Sequence, residues 1–266
     1  MRCQIRFIFA AWIVEAEIGL SGKSALSDFA SRMILTEELV SLSIRTEVDL
    51  GPEPNRVPMT DQDVEALSEK LFRESGDISL WVFAYGSLIW KPDFNAVGWR
   101  YGGVKGWHRS FCLRLTRWRG TQSQPGLMLA LRPGGSCNGI VFRLSEEGRL
   151  AQIQRMIRRE ISSMSDAYSI RWVAVDTPEG PVRALTFWAG PRGDRVLNGL
   201  SLESVAHVLA RACGHIGSCA EYLYHTVRHL EEKGIRDRNL WRLQELVAAE
   251  IEAHHKTNTD TCPAQS

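Results

Sequence analysis

Apolar residues change their period along the chain, and the changes mark its elements. Residues 36 to 47 and 60 to 74 carry apolar side chains at helical spacing. In the second run Thr60 stands ahead of Asp61 and Asp63 as a cap, and Val64, Leu67 and Leu71 share one side. Gly51, Pro52, Pro54 and Pro58 read as a linker between the two. From Ser79 the pattern turns strand-like. Leu80-Trp81-Val82-Phe83-Ala84 is an unbroken apolar run bounded by Asp77 and Tyr85-Gly86-Ser87, which predicts a buried strand. Phe111, Leu113 and Leu115 alternate with Ser110, Cys112 and Arg114, which predicts a half-buried one. Further strands are expected at Leu127 to Leu131, Gly139 to Leu144, Ile170 to Val175 and Val182 to Trp188, with Arg132-Pro133-Gly134-Gly135 as a turn. Leu150 to Glu160 returns to helical spacing. Beyond it, Ser201 caps a helix over 202–212, and Ser218-Cys219-Ala220-Glu221 has capping-box spacing for a second that stops at Gly234. A third, Arg238 to His254, puts Leu243, Val247 and Ile251 on one face. Strands first and helices mostly last predict an α+β domain, not an alternating βαβ sheet.

Composition places the chain among soluble globular proteins: 266 residues, 44% hydrophobic and 24% charged. The expected organisation is an N-terminal extension with an acidic helical and linker segment over 1–77, a catalytic domain over 78–255 and a polar tail over 256–266. A net charge of +1 argues against a generic polyanion partner, yet it hides a strong asymmetry. Residues 37–77 hold four basic and eleven acidic side chains, residues 78–90 hold no charge, and residues 91–143 hold nine basic and one acidic. The six cysteines are scattered without a Cys-x-x-Cys pair, as expected of reduced thiols in a cytoplasmic protein. His225 and His229, four apart, lack the acid and third ligand of a metalloprotease helix, so no metal site is expected. Arg2 and Arg6 before the apolar run Phe7 to Val14 imitate a secretion signal. Glu15 and Glu17 then stand where small residues should allow cleavage, and the run is too short to span a bilayer. Met33 is a plausible alternative start, which would make residues 1–32 dispensable.

Three places could carry chemistry. Tyr85-Gly86-Ser87-Leu88 follows an uncharged strand, and a glycine there lets backbone N–H groups approach an anion; a plain strand-exit turn would look the same. Glu160 lies seven residues after Ile153, four after Met156 and three after Ile157, which sets a carboxylate on an apolar stripe. Burial there would raise its pKa toward that of a useful general base, whereas a surface ion pair with Arg155, Arg158 or Arg159 is the plainer alternative. Lastly, Arg100, Lys105, Arg109, Arg114, Arg117 and Arg119 interleave with Trp99, Tyr101, Trp107 and Trp118. That pattern suits a barrel binding single-stranded nucleic acid, a field for a small anionic ligand, or a solvated strand face.

Taken in order, Leu80 to Pro92, Gly106 to Thr116, Arg119-Gly120-Thr121, Gln124-Pro125-Gly126, Met128 to Leu131, Arg158-Arg159-Glu160 and Cys219 to Leu223 resemble the ChaC family of glutathione-specific gamma-glutamylcyclotransferases, over roughly 78–250. The resemblance implies an α+β fold around a small, barrel-like mixed sheet with flanking helices. It implies a Tyr-Gly-Ser-Leu loop that holds the gamma-glutamyl end of the substrate, matching Tyr85, Gly86, Ser87 and Leu88, with Ala84 where the family usually has glycine. It implies a catalytic glutamate at Glu160 and a substrate-contacting tyrosine at Tyr168, after a connection about two residues longer than usual. The implied reaction releases 5-oxoproline and cysteinylglycine from glutathione without a metal or organic cofactor; the same chemistry on other gamma-glutamyl amines or amino acids is the near alternative. A small-molecule substrate, no nucleic acid and no membrane are the expected partners, with monomer and homodimer both open.

Overall fold

The computed structural model describes residues 33–52, 56–76, 79–190 and 195–260. The signal-like run, and all of the stretch 1–32 ahead of Met33, lie outside these. Helix α1 (Glu37–Ser41) is capped by Thr36 and is much shorter than the run over 36–47 predicts. Ser41 and Ser43 donate their hydroxyls back to the carbonyls of Glu38 and Val40, competing with helix continuation. Helix α2 (Asp61–Ser75) begins as expected: Thr60 Oγ1 accepts from the Asp63 N–H and the Asp63 carboxylate accepts from the Thr60 N–H, a complete capping box.

A five-stranded mixed sheet follows, built from β1 (Trp81–Ala84), β2 (Ala96–Leu115), β3 (Gly126–Leu144), β4 (Ile170–Val175) and β5 (Val182–Phe187), in the order β2-β3-β1-β5-β4. Strand β1 sits at the centre, antiparallel to β3 and parallel to β5. Covered on both edges and both faces, it tolerates no charge, which explains its uninterrupted apolar run. Its side chains alternate between two cores. Val82 and Ala84 join a large core with helices α3 (Arg149–Glu160), α4 (Leu202–Arg211), α5 (Cys219–Glu232) and α6 (Arg238–Asp260), while Phe83 points into a smaller one with Val104, Leu131, Val141 and Val175. Leu35, Val40, Val64 and Leu71 also belong to the large core, so α1 and α2 fold with the residues that follow them.

The expected barrel is approached without closing. Edge strand β2 reaches the end of β4 at a bridge where Gly103 and Asp176 exchange two backbone hydrogen bonds of 2.9 Å, and among the described residues no continuous ladder joins the edges. Arg132 to Gly135 do not form the predicted turn between two strands. These residues lie inside β3, opposite the step from Lys105 to Trp107, so the two predicted strands are one. Gly134, Gly135 and Gly106 all have positive φ, which accommodates an irregular step in a long ribbon as well as it would a turn. The capping box at Ser218 is only half made: Ser218 Oγ accepts from the Glu221 N–H, but the Glu221 carboxylate is taken by Arg119 at 2.5 Å.

Candidate active site

Where β1 ends, the chain bends at Tyr85 and Gly86 and enters a single 3₁₀ turn, Ser87–Ile89. Only glycine fits the second position: a Cβ on Gly86 would stand 2.9 Å from the Tyr222 hydroxyl oxygen and 3.5 Å from a Leu129 methyl. The bend is braced from behind by Arg109, whose side chain is 3% exposed. It donates to the Tyr85 carbonyl at 2.9 Å and to the Asn138 carbonyl, and pairs with Asp237 at 2.7 Å.

Helix α3 brings up the second component. Ile153, Met156 and Ile157 are each fully buried, as their spacing predicts, and the next residue on that stripe is Glu160, the last of the helix. Its side chain keeps 22% of its surface and lines a cleft of about 510 Å³ together with Tyr85, Gly86, Ser87, Leu88 and Tyr222. Burial pushes its carboxyl above the ordinary value; the Arg159 guanidinium opposes this and Asp93 adds to it. Arg159 links the helix to the turn: its Nε lies 3.1 Å from Glu160, its Nη2 donates to Ser87 Oγ at 3.1 Å, and its Nη1 donates to the Lys91 carbonyl. Both surroundings of Glu160 foreseen from sequence are therefore present at once, burial in a cleft and an ion pair with a neighbouring arginine.

The phenols facing Glu160 are shifted as well. Burial, with the Tyr222 and Glu160 charges adding, holds the Tyr85 hydroxyl well above its usual range. Burial also pushes Tyr222 up to about 12, Glu160 adding and hydrogen bonds from Ser87 opposing. Both are thus neutral donors at physiological pH. Tyr222 comes from the first turns of α5, where an aromatic on the apolar stripe reads as ordinary core; its contact with Gly86 could not be seen from spacing.

The other predicted positions divide. Ala84 pairs with Ile140 inside β1, is 1% exposed and does not line the cleft, and as a strand residue it needs no left-handed backbone. Tyr168 lies in the 3₁₀ segment Met164–Ser169, on the cleft wall, and is 74% exposed. Five of the six basic side chains of the basic stretch are ion-paired. Arg100 pairs with Glu179, Lys105 with Asp176, Arg109 with Asp237, Arg117 with Asp49 and Arg119 with Glu221. Part of the positive charge of the basic stretch is thus offset by ion pairs made in the fold. The cleft is lined by Arg56, Lys91, Arg119, Arg159 and Arg195 and by Glu160 and Asp166, and most of these cations lie outside the basic stretch. His225 and His229 pack their rings against Trp90. Among the described residues no cluster of three or more His, Cys, Asp or Glu could hold a metal, and no helix is long and apolar enough to cross a membrane.

Residues 80–250 match the family model described as ChaC-like protein. The chain is 34% identical over 181 residues to a glutathione-specific gamma-glutamylcyclotransferase of Escherichia coli, covering 68% of this chain and 78% of that one. It is 29% identical over 174 residues to glutathione-specific gamma-glutamylcyclotransferase 1 of Homo sapiens, covering 64% and 78%. Among solved structures, a gamma-glutamyl cyclotransferase specific to glutathione from yeast shares the fold with a TM-score of 0.60 at 20% identity, over 66% of this chain and 99% of that one.

Proposed function

Because the chain belongs to the ChaC family over residues 80–250, we propose that it cleaves glutathione by attack of the α-amine of the gamma-glutamyl unit on its own side-chain amide carbonyl. One C–N bond forms, closing the 5-oxoproline ring, and one breaks, freeing cysteinylglycine. Two protons leave the α-nitrogen and two reach the departing nitrogen. Glu160 is the group that carries them, since an α-ammonium cannot attack until it is deprotonated. Its raised pKa suits a base that must also return a proton near neutral pH. Nucleophile and electrophile belong to one molecule, so the remaining task is to hold a folded-back conformation. Ser87 and the backbone N–H groups at Gly86 and Ser87 receive the substrate's α-carboxylate, with the Arg159 charge beside them, and Tyr222 covers the turn.

One observation carries this reading: Arg159 ties Glu160 to Ser87, so base and turn form one wall of one cleft. A reducing, cytoplasmic setting belongs to the same proposal. Burial raises the thiols of Cys137 to about 11 and Cys219 to about 12, leaving them protonated and unreactive at neutral pH. Incubating the purified protein with glutathione, gamma-glutamyl dipeptides and gamma-glutamylamines while measuring 5-oxoproline tests the assignment. Release from glutathione above the other substrates is expected; release from none of them overturns it.

A further inference from the structure

Beside the cleft lies a second cavity of about 330 Å³, and the two share Arg56, Trp118, Ser162 and Arg195 as common wall. Its other side is built by Pro58 and Met59, which precede the family-matched residues. That stretch reads as a linker in the sequence but is tied down in the fold. Pro58 forms a β-bridge with Ser163, and the Met164 N–H donates to the Val57 carbonyl at 3.3 Å. Arg158, two residues before Glu160, pairs with Asp61 at 2.6 Å. The chain ahead of the family-matched region thereby grips the connection that follows Glu160.

Arg56 sits at the junction of the two cavities. Its side chain is 15% exposed, and the hydrogen bonds it makes to Ser163 and Asp166 both use Nη2. Nη1 is left with donors for a ligand, enough for one charge-assisted hydrogen bond to a carboxylate oxygen but, with Nη2 occupied, not for a two-point fork. Asp166 also faces Arg195 at 3.7 Å, so one carboxylate meets two guanidinium groups. A gamma-glutamyl substrate anchored at Ser87 must extend its departing half along the cleft, and in glutathione that half ends in a carboxylate.

We infer that Arg56 binds the terminal carboxylate of the departing cysteinylglycine at the mouth of the second cavity, making the segment before the family-matched region a specificity element. The inference rests on the glutathione reading. The test compares glutathione with its glycine-amide analogue, which lacks only that charge, on the wild-type protein and on Arg56→Gln and Arg56→Lys, with 5-oxoproline as readout. Amidation is expected to raise KM of the wild type by roughly 10- to 100-fold while kcat changes by less than about threefold. Arg56→Gln shows a similar rise for glutathione and almost no further loss on amidation, and Arg56→Lys retains part of the discrimination. Equal losses on both substrates in Arg56→Gln would mean that Arg56 only holds the loop, and would overturn the inference. If Arg56→Gln fails to fold, Arg56→Lys and the wild-type ratio decide, since a wild-type ratio near one is contradictory by itself. Turnover without discrimination overturns this assignment alone; no turnover of either substrate by the wild type overturns the function with it.

Discussion

Replacing Glu160 by Gln changes one oxygen to an amide nitrogen and leaves an acceptor for the Arg159 Nε–H, now at 3.1 Å from the carboxylate. The side chain still fills its place at the end of the apolar stripe, so the variant folds. What it loses is the capacity to take and return protons. General acid–base catalysis contributes about 10²- to 10⁴-fold, or roughly 3–5 kcal/mol of barrier at about 1.4 kcal/mol per decade. We expect 5-oxoproline release from glutathione to fall by at least about 100-fold. The wild-type rate falls as pH drops through the raised pKa of Glu160, and the variant lacks this limb. Stability moves the other way. With its folded pKa raised above the ordinary 4.5, Glu160 binds more protons folded than unfolded between those values, so stability falls as pH rises through that window. Glu160→Gln removes this penalty and is at least as stable as the parent at neutral pH, with the advantage gone below 4.5. Thermal melts at the two pH values read this out alongside the product assay. A correctly folded variant that releases 5-oxoproline near the wild-type rate would refute the assignment of Glu160.

Further outcomes follow from the same geometry. Gly86→Ala drives a methyl to 2.9 Å from the Tyr222 oxygen and should cost about 1–3 kcal/mol; adding Tyr222→Phe removes the clash and recovers much of it, as a double-mutant denaturation cycle would show. Arg109→Ala strands Asp237 and the carbonyls of Tyr85 and Asn138 and should cost about 3–5 kcal/mol by urea melts, with Asp237→Asn regaining part of the loss. Burial alone would raise Asp166, but the hydrogen bond from Arg56 and the charges of Arg195 and Arg56 hold it below 3.8. Its stabilising contribution is therefore present above 3.8 and lost as pH falls through the lower folded value, so Asp166→Asn flattens the acid limb of the stability curve.

The parts legible in the sequence were those where burial dictates residue type locally. Strand β1 declared itself because a strand covered on all sides excludes charge, and Glu160 stood out because a carboxylate broke a stripe that is otherwise fully buried. Pairing across long separations was hidden. Arg109 and Asp237 lie 128 residues apart, so a charge count along the chain overstates the field that survives folding. Tyr222 carried no signal beyond an aromatic on an apolar helix face, and Arg56 stood in a Pro-rich stretch whose composition matches a mobile linker although Ser163 and Met164 pin it. Gly134 and Gly135 misled because positive φ serves a bulge inside a ribbon and a turn between strands alike.

In the proposed reaction the bond-forming nucleophile is the substrate's own amine. Running the wild-type reaction on glutathione in ¹⁸O-labelled water and weighing the products by mass spectrometry tests it most directly. Intramolecular cyclisation yields unlabelled 5-oxoproline in equal amount with cysteinylglycine. Glutamate carrying one atom of label is the product of attack by water, and its appearance would rule out intramolecular cyclisation.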